Sequence, residues 1–202
     1  MLRGVEPERL SLPHEKLVNL RKEGVDLLLY LDFSHEFAET EPERFLRILQ
    51  QQLAPGLFCL GREFRFGRGN EGNIDFLQKS SPTYNFDLLV VDDVLHLNEP
   101  VSSTRIRDAV KKGDFELVHG LLGHSYHLYV TGEPKLLKPL CMNCAFPDDG
   151  RYMAVLHEGE MGQGREMVVE RVDQGFELFE EIDIKRRGLY RLQFSYRLEP
   201  QK

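Results

Sequence analysis

The sequence predicts an α/β region with a parallel sheet over residues 1–125, followed by a small antiparallel β domain over residues 126–202. In the first region, apolar runs of strand length alternate with helix-like segments, as they do in the βαβ units of a parallel sheet. After His124 the chain consists of short, often alternating stretches separated by Gly, Pro or Asp. That pattern is typical of antiparallel strands in a small barrel or curled sheet.

Local signals define the first elements of the α/β region. Pro13–Glu23 is periodic and stops at Gly24, which predicts a short helix ended by glycine. Asp26–Phe33 is a continuous apolar run, which predicts a strand in a sheet covered on both faces. Thr40-Glu41-Pro42-Glu43 predicts a capping box with proline inside the first turn of the next helix. The buried face of that helix is expected to consist of Phe45, Leu46, Ile48, Leu49 and Leu53.

The remaining strands are predicted from further short apolar runs. Leu57–Leu60 and Leu88–Val91 complete the parallel sheet. The β domain is predicted from the stretches His127–Thr131, Tyr152–His157, Met167–Val172, Phe176–Phe179 and Leu189–Leu198.

Composition and charge limit the kinds of partner. Hydrophobic residues make up 41% of the 202 residues and charged ones 29%, as in ordinary globular proteins. A net charge of -7 argues against a nucleic-acid partner. No apolar run approaches the roughly 20 residues of a membrane span, and the printed N-terminus lacks the apolar core of a signal peptide. Three cysteines cannot all pair, which indicates a reducing, cytoplasmic compartment. The oligomeric state stays open.

The segment E-P-V-S-S-T-R-I-R-D-A-V at 99–110 places three hydroxyl side chains at the start of a predicted helix. Ile106, Ala109 and Val110 define its apolar face, and Gly113 ends it. One hydroxyl is enough to cap the helix, so the others are available for a second purpose. A helix N-terminus attracts anions, and the forked donors of nearby arginines suit phosphate. Capping alone and phosphate binding both remain open.

Gly61–Asn73 is a second candidate, in the loop after a predicted strand. It holds four glycines, two phenylalanines and three arginines in thirteen residues. Ligands of parallel sheets bind in such loops, beyond the carboxyl ends of the strands. Phe64 and Phe66 could cover a flat ring or fold back into the core. By contrast, Cys141 and Cys144 form an isolated C-x-x-C with only His157 close in sequence, which predicts two reduced cysteines in a loop and no metal site.

Five segments between residues 11 and 126 resemble, in order, the bacterial bifunctional riboflavin kinase/FMN adenylyltransferase (FAD synthase) family. V-S-S-T-R-I-R at 101–107 is similar to the family's I-S-S-T-x-I-R signature, and G-R-E-F-R-F-G-R-G at 61–69 to its G-x-D-F-R-F-G-x-x loop. The other three are H-E-K-L-V-N-L-R-K-E-G-V-D at 14–26, H-E-F-A-E-T-E-P-E-R-F at 35–45 and L-L-G-H-S-Y at 121–126.

The resemblance implies a Rossmann-like nucleotidyltransferase module that transfers AMP from ATP to FMN, giving FAD and pyrophosphate, with Mg²⁺ assisting. Its substrates are then the small molecules ATP and FMN. It assigns the ATP phosphates to Ser102, Ser103, Thr104, Arg105 and Arg107. It assigns the wall beside flavin and nucleotide to Gly61, Phe64, Arg65, Phe66 and Gly67.

The sequence also departs from the family pattern. The family's first strand leads into a G-x-F-D-G-x-H-x-G-H loop, and the printed residues contain no H-x-G-H. We therefore expect the first strand to be missing, the catalytic residues to stay unassigned, and little or no FAD to be formed. The kinase motif G-x-P-T-A-N has no match either, which predicts a degenerate kinase barrel and no riboflavin phosphorylation. Three interpretations follow: a FAD synthase without its N-terminal part, a non-catalytic flavin- or nucleotide-binding homologue, and a structural remnant.

Overall fold

The computed structural model describes residues 7–133, 135–159, 162–180, 182 and 188–199. They divide into two compact units. The first unit contains Leu27–Leu95, and the second contains the described residues of 7–26 and 96–199. Residue 125, where the predicted α/β region gives way to the predicted β domain, lies inside the second unit. The helices just before this residue pack with the strands that follow it.

Six α-helices and ten strands are assigned in the described residues. The helices are α1 (Pro13–Lys22), α2 (His35–Ala38), α3 (Pro42–Gln52), α4 (Ile74–Tyr84), α5 (Ser103–Lys112) and α6 (Phe115–Leu122). The strands are β1 (Leu57–Gly61), β2 (Asp87–Val91), β3 (Leu95–His96), β4 (Glu99–Pro100), β5 (His127–Glu133), β6 (Leu136–Pro139), β7 (Arg151–Glu158), β8 (Gly164–Val172), β9 (Gly175–Leu178) and β10 (Leu189–Arg197). None of the described helices is long and apolar enough to cross a membrane.

The first unit contains a small parallel sheet, as the sequence predicts. β1 and β2 pair in parallel, with Leu57 opposite Asp87 and Gly61 opposite Val91. α4 connects the two strands, and its Leu77 is buried together with Leu46 of α3 and Phe86. This α/β arrangement confirms the coarse fold class of the first region.

The prediction of a buried strand at Asp26–Phe33 is wrong. The run is irregular, and within the described residues the backbone of Leu27–Phe33 has no hydrogen-bond partner. Leu27 is 64% exposed and Phe33 61%. Apolar composition predicted burial, but a strand also needs a neighbouring strand to satisfy its N–H and C=O groups.

The helix α3 also begins differently from the prediction. Its N-cap is Glu41, which makes no side-chain capping bond, and Pro42 occupies the first turn as expected. Thr40 lies one residue too early to cap, and its carbonyl instead accepts a hydrogen bond from the Arg68 amide at 2.8 Å. The helix buries Leu46, whereas Ile48 and Leu53 are exposed, so the predicted apolar face is too wide.

The second unit is built on a closed antiparallel barrel in the strand order β10-β5-β6-β9-β8-β7, which confirms the predicted β domain. α5 and α6 pack against this barrel. Phe115 at the start of α6 stacks on Phe194 of β10, with ring centroids 4.9 Å apart. Val110 and Val118 are fully buried in the same core. The second unit therefore contains most of the buried apolar residues in the described part of the chain.

Candidate functional site

The start of α5 presents the three predicted hydroxyl side chains to solvent. Ser102 is the N-cap, and its Oγ accepts a hydrogen bond from the Arg105 amide at 3.2 Å. The hydroxyls of Ser103 and Thr104 have no partner among the described residues, and both residues are exposed. One hydroxyl therefore caps the helix and two remain available, together with the first free N–H groups of the helix.

Arg105 connects the helix to the segment that precedes it. Its guanidinium donates to the carbonyl oxygens of His96 and Glu99, each at 3.0 Å, and its Nε lies 3.1 Å from the Glu99 carboxylate. The residues between these acceptors, Leu97 and Asn98, both have positive φ, as the central residues of a type I′ turn do. Much of the donor capacity of Arg105 is thus used to hold this turn.

Arg107 follows Ile106, which is buried in the core. The Arg107 Nε donates to the Glu8 carbonyl at 2.6 Å. The Glu8 carboxylate in turn pairs with Lys111 at 3.0 Å. The other guanidinium nitrogens of Arg107 have no partner in the described part of the chain, so this side chain keeps donors for a ligand.

In the first unit, the loop after β1 is organised by its aromatic side chains. The ring centroid of Phe66 lies 5.6 Å from that of Phe64, in a stacked arrangement, and 5.4 Å from that of Phe45. Both loop phenylalanines are half-buried against the cluster around Leu46 and Leu77. They fold back toward the core, which is the second of the two alternatives that the sequence leaves open.

The other predicted residues of this loop are placed around those rings. Gly61 ends β1, and Gly67 precedes a 3₁₀ turn over Arg68–Asn70. Arg65 is exposed, and its guanidinium donates to the Phe64 carbonyl at 3.0 Å. The structure thus brings the hydroxyl and arginine side chains together at α5 in the second unit, and the phenylalanines together in the first.

A half-buried polar pair in the second unit has no counterpart in the sequence predictions. His127 Nε2 lies 2.6 Å from Glu15 Oε1, and the two side chains are 19% and 12% exposed. They line a small cavity together with Cys141 and Cys144. Glu15 and His127 are 112 positions apart, so no local pattern could pair them. In the described residues, no group of three or more His, Cys, Asp or Glu is arranged to hold a metal ion.

Comparison with known proteins gives consistent matches over the first part of the chain. The family model described as FAD synthetase matches residues 1–105. The bifunctional riboflavin kinase/FMN adenylyltransferase of Escherichia coli (strain K12) is 34% identical over 121 residues, which are 59% of this chain and 39% of that protein. The FAD synthetase of Listeria monocytogenes is 32% identical over 125 residues, which are 62% of this chain and 50% of that protein.

The similarity of the fold extends further than the similarity of the sequence. A crystal structure titled macrolide-efflux protein, from Streptococcus pneumoniae, superposes with a TM-score of 0.82 at 20% identity, covering 100% of this chain and 72% of that one. At this identity the likeness concerns the fold alone. The chain matches about two fifths of the length of the Escherichia coli relative.

Proposed function

Because the chain belongs to the FAD synthetase family, we propose that it is an FMN adenylyltransferase, which transfers AMP from ATP to FMN and gives FAD and pyrophosphate. The observation that carries the proposal is the match of the family model to residues 1–105, which ends inside the hydroxyl-rich turn of α5. The small parallel sheet of the first unit is then part of a Rossmann-like nucleotidyltransferase arrangement.

The start of α5 is proposed to bind the ATP phosphates. The hydroxyls of Ser103 and Thr104 are exposed and without a described partner, and the first amides of a helix favour anions. Arg107 adds charged donors, while Ser102 and Arg105 keep the helix start and the preceding turn in shape. Adenylyl transfer depends on positioning and on stabilising charge at the phosphoryl oxygens, and these groups supply both.

The loop after β1 is proposed to form a wall beside flavin and nucleotide. Phe64 and Phe66 are only half-buried, so each ring keeps a surface that a planar ligand can cover. Arg65 is exposed beside them, and Gly61 and Gly67 delimit the loop. Packing in the core and contact with a ligand are therefore compatible roles for the same rings.

Magnesium is proposed to arrive with ATP. Mg²⁺ in nucleotide-dependent enzymes is usually held by substrate phosphates, waters and one or two carboxylates. The described residues offer no cluster of three or more potential ligands, so they do not fit a cage made by the protein. We assign no step to a metal held by this chain alone.

ATP binding tests the phosphate site directly. Arg107→Ala should weaken ATP binding about 10- to 150-fold in a calorimetric titration, because a hydrogen bond to a charged group contributes about 1.5–3 kcal/mol. Lys111→Ala is the matched control: it also removes one positive charge that contacts Glu8, but it lies at the other end of α5. Equal ATP affinity in the two variants would contradict the phosphate role of Arg107.

FAD formation tests the whole proposal. Purified protein is incubated with FMN, ATP and Mg²⁺, and FAD is separated by chromatography. FAD above the level of a no-protein control supports the transferase function and contradicts the expectation, drawn from the missing H-x-G-H motif, that little or no FAD is formed. No FAD at all, together with unchanged FMN fluorescence on addition of protein, would contradict it.

A further inference from the structure

The C-x-x-C segment of the second unit forms a tight turn just after β6. Met142 and Asn143 occupy the turn, which places Cys141 and Cys144 on its two sides. Cys144 is buried and Cys141 is half-buried, and both are free thiols. Both line the small cavity that also contains Glu15 and His127.

The surroundings favour thiol chemistry over metal binding. His127 Nε2 lies 2.6 Å from Glu15 Oε1 and His127 Nδ1 lies 3.4 Å from the Ser125 carbonyl, so both ring nitrogens already have a partner within the protein. No metal-binding group of three or more side chains is found in the ranges that the structure describes. Cys141 and Cys144 stand on either side of one turn and line the same small cavity.

We propose that Cys141 and Cys144 are a modification site that exchanges with low-molecular-mass disulfides and closes to an intramolecular disulfide. The Cys141 thiolate attacks one sulfur of R–S–S–R, forms a mixed disulfide and releases RS⁻, which takes up a proton. The Cys144 thiol then gives its proton to a solvent base while its sulfur attacks the Cys141 sulfur and expels a second RS⁻, which is protonated. Two protein thiols are oxidised and one R–S–S–R is reduced to two R–SH.

The difference between the two thiols gives this order of events. Burial and the neighbouring Cys141 thiol raise the pKa of the Cys144 thiol to about 12, so Cys144 remains protonated near neutral pH. Cys141 is more accessible than Cys144 and meets the small disulfide first.

The turn also holds the segment that precedes α1. The Arg9 amide donates to the Asn143 carbonyl at 2.7 Å, and the Ala145 amide donates to the Arg9 carbonyl at 2.8 Å. The Tyr126 hydroxyl donates to the Ala145 carbonyl at 2.6 Å. A disulfide across the turn fixes the acceptor at Asn143 and the donor at Ala145, so it restrains the backbone at Arg9 as well.

The test uses the full chain with Cys59→Ser, because Cys59 is an exposed thiol in the other unit. After incubation with glutathione disulfide, the intact mass should fall by two hydrogen atoms, and alkylation in denaturant should find no free thiol. Adding Cys144→Ser should leave glutathione attached at Cys141, whereas adding Cys141→Ser should leave Cys144 free. An unchanged mass with two alkylated thiols would overturn the proposal, as would an adduct at Cys144 in the Cys141→Ser chain.

A structural readout separates ring closure from a surface reaction. Hydrogen exchange at the Arg9 and Ala145 amides should slow on oxidation and return to the rate of the unoxidised protein after reduction with a dithiol. Unchanged exchange at both amides in a fully oxidised sample would overturn the claim that the disulfide restrains the Arg9 segment.

Discussion

Two neighbouring serines at the start of α5 should affect different properties when each is replaced by alanine. Ser102→Ala removes the Oγ that accepts the Arg105 amide at 3.2 Å, whereas Ser103→Ala removes a hydroxyl without a partner in the described structure. The first change should lower stability, and the second should lower ATP affinity. The pair therefore separates capping from phosphate binding within one helical turn.

The magnitudes follow from the geometry of each hydroxyl. Loss of an N-cap costs about 0.5–2 kcal/mol, and the lower half of that range applies here because the bond is at the long end of normal distances and exposed to water. Ser103→Ala should leave stability unchanged or raise it by about 0.5 kcal/mol, because alanine is the better helix former. Loss of one hydrogen bond to a phosphate should weaken ATP binding about tenfold.

Urea denaturation followed by circular dichroism measures the first effect, and calorimetric titration with ATP measures the second. For Ser102→Ala the midpoint should fall at an unchanged slope, which shows that stability and not compactness has changed. Wild-type ATP affinity in Ser103→Ala would refute the phosphate role of this residue. Wild-type stability in Ser102→Ala would refute the capping role that the structure gives it.

Three further predictions concern packing around the two candidate regions. Gly113→Ala should lower the free energy of unfolding by about 1–3 kcal/mol, because φ is +74° and the new Cβ would lie 2.8 Å from the Tyr152 ring. Gly123→Ala is the control, since its φ is +75° but its new Cβ would meet no atom within 4 Å. In thermal melts this control should show only the backbone part of the cost. Phe66→Ala should destabilise the first unit by about 1–3 kcal/mol, less than a fully buried phenylalanine, and speed hydrogen exchange in α4. Arg105→Ala should make the peptide at Leu97 and Asn98 more sensitive to protease, since three carbonyl acceptors lose their donor; unchanged cleavage would contradict its role in holding that turn.

The helix α5 could be predicted from the sequence almost residue by residue. Its end is encoded by Gly113 and its buried face by the spacing of Ile106, Ala109 and Val110. Its start is encoded by the three hydroxyl residues at 102–104, of which the structure makes Ser102 the cap. Each of these signals acts within one or two helical turns, so it does not depend on the rest of the chain. Five of the six barrel strands were recognisable for the same reason, because alternation and turn residues are local. The four-residue strand β6 was not predicted.

Interactions between distant residues could not be predicted in this way. Leu27–Phe33 has the composition of a buried strand, but whether it pairs depends on a neighbouring strand. The Glu15–His127 pair and the carbonyl partners of Arg105 and Arg107 likewise depend on how distant segments meet. The sequence predicted phosphate binding for both arginines, whereas in the structure some of their guanidinium N–H groups donate to backbone carbonyls.

The exposed run Leu27–Phe33 sets the conditions under which the protein stays in solution. At low ionic strength the net charge of -7 keeps molecules apart. At about 0.1 M salt that repulsion is screened beyond roughly 10 Å, and sulfate salts strengthen the attraction between apolar surfaces. The protein should therefore precipitate at a lower ammonium sulfate concentration, and bind more tightly to a phenyl-bearing chromatography resin, than a variant with a less apolar run. Replacing Leu29 and Leu31 by serine should delay precipitation and shorten retention, because both side chains are exposed.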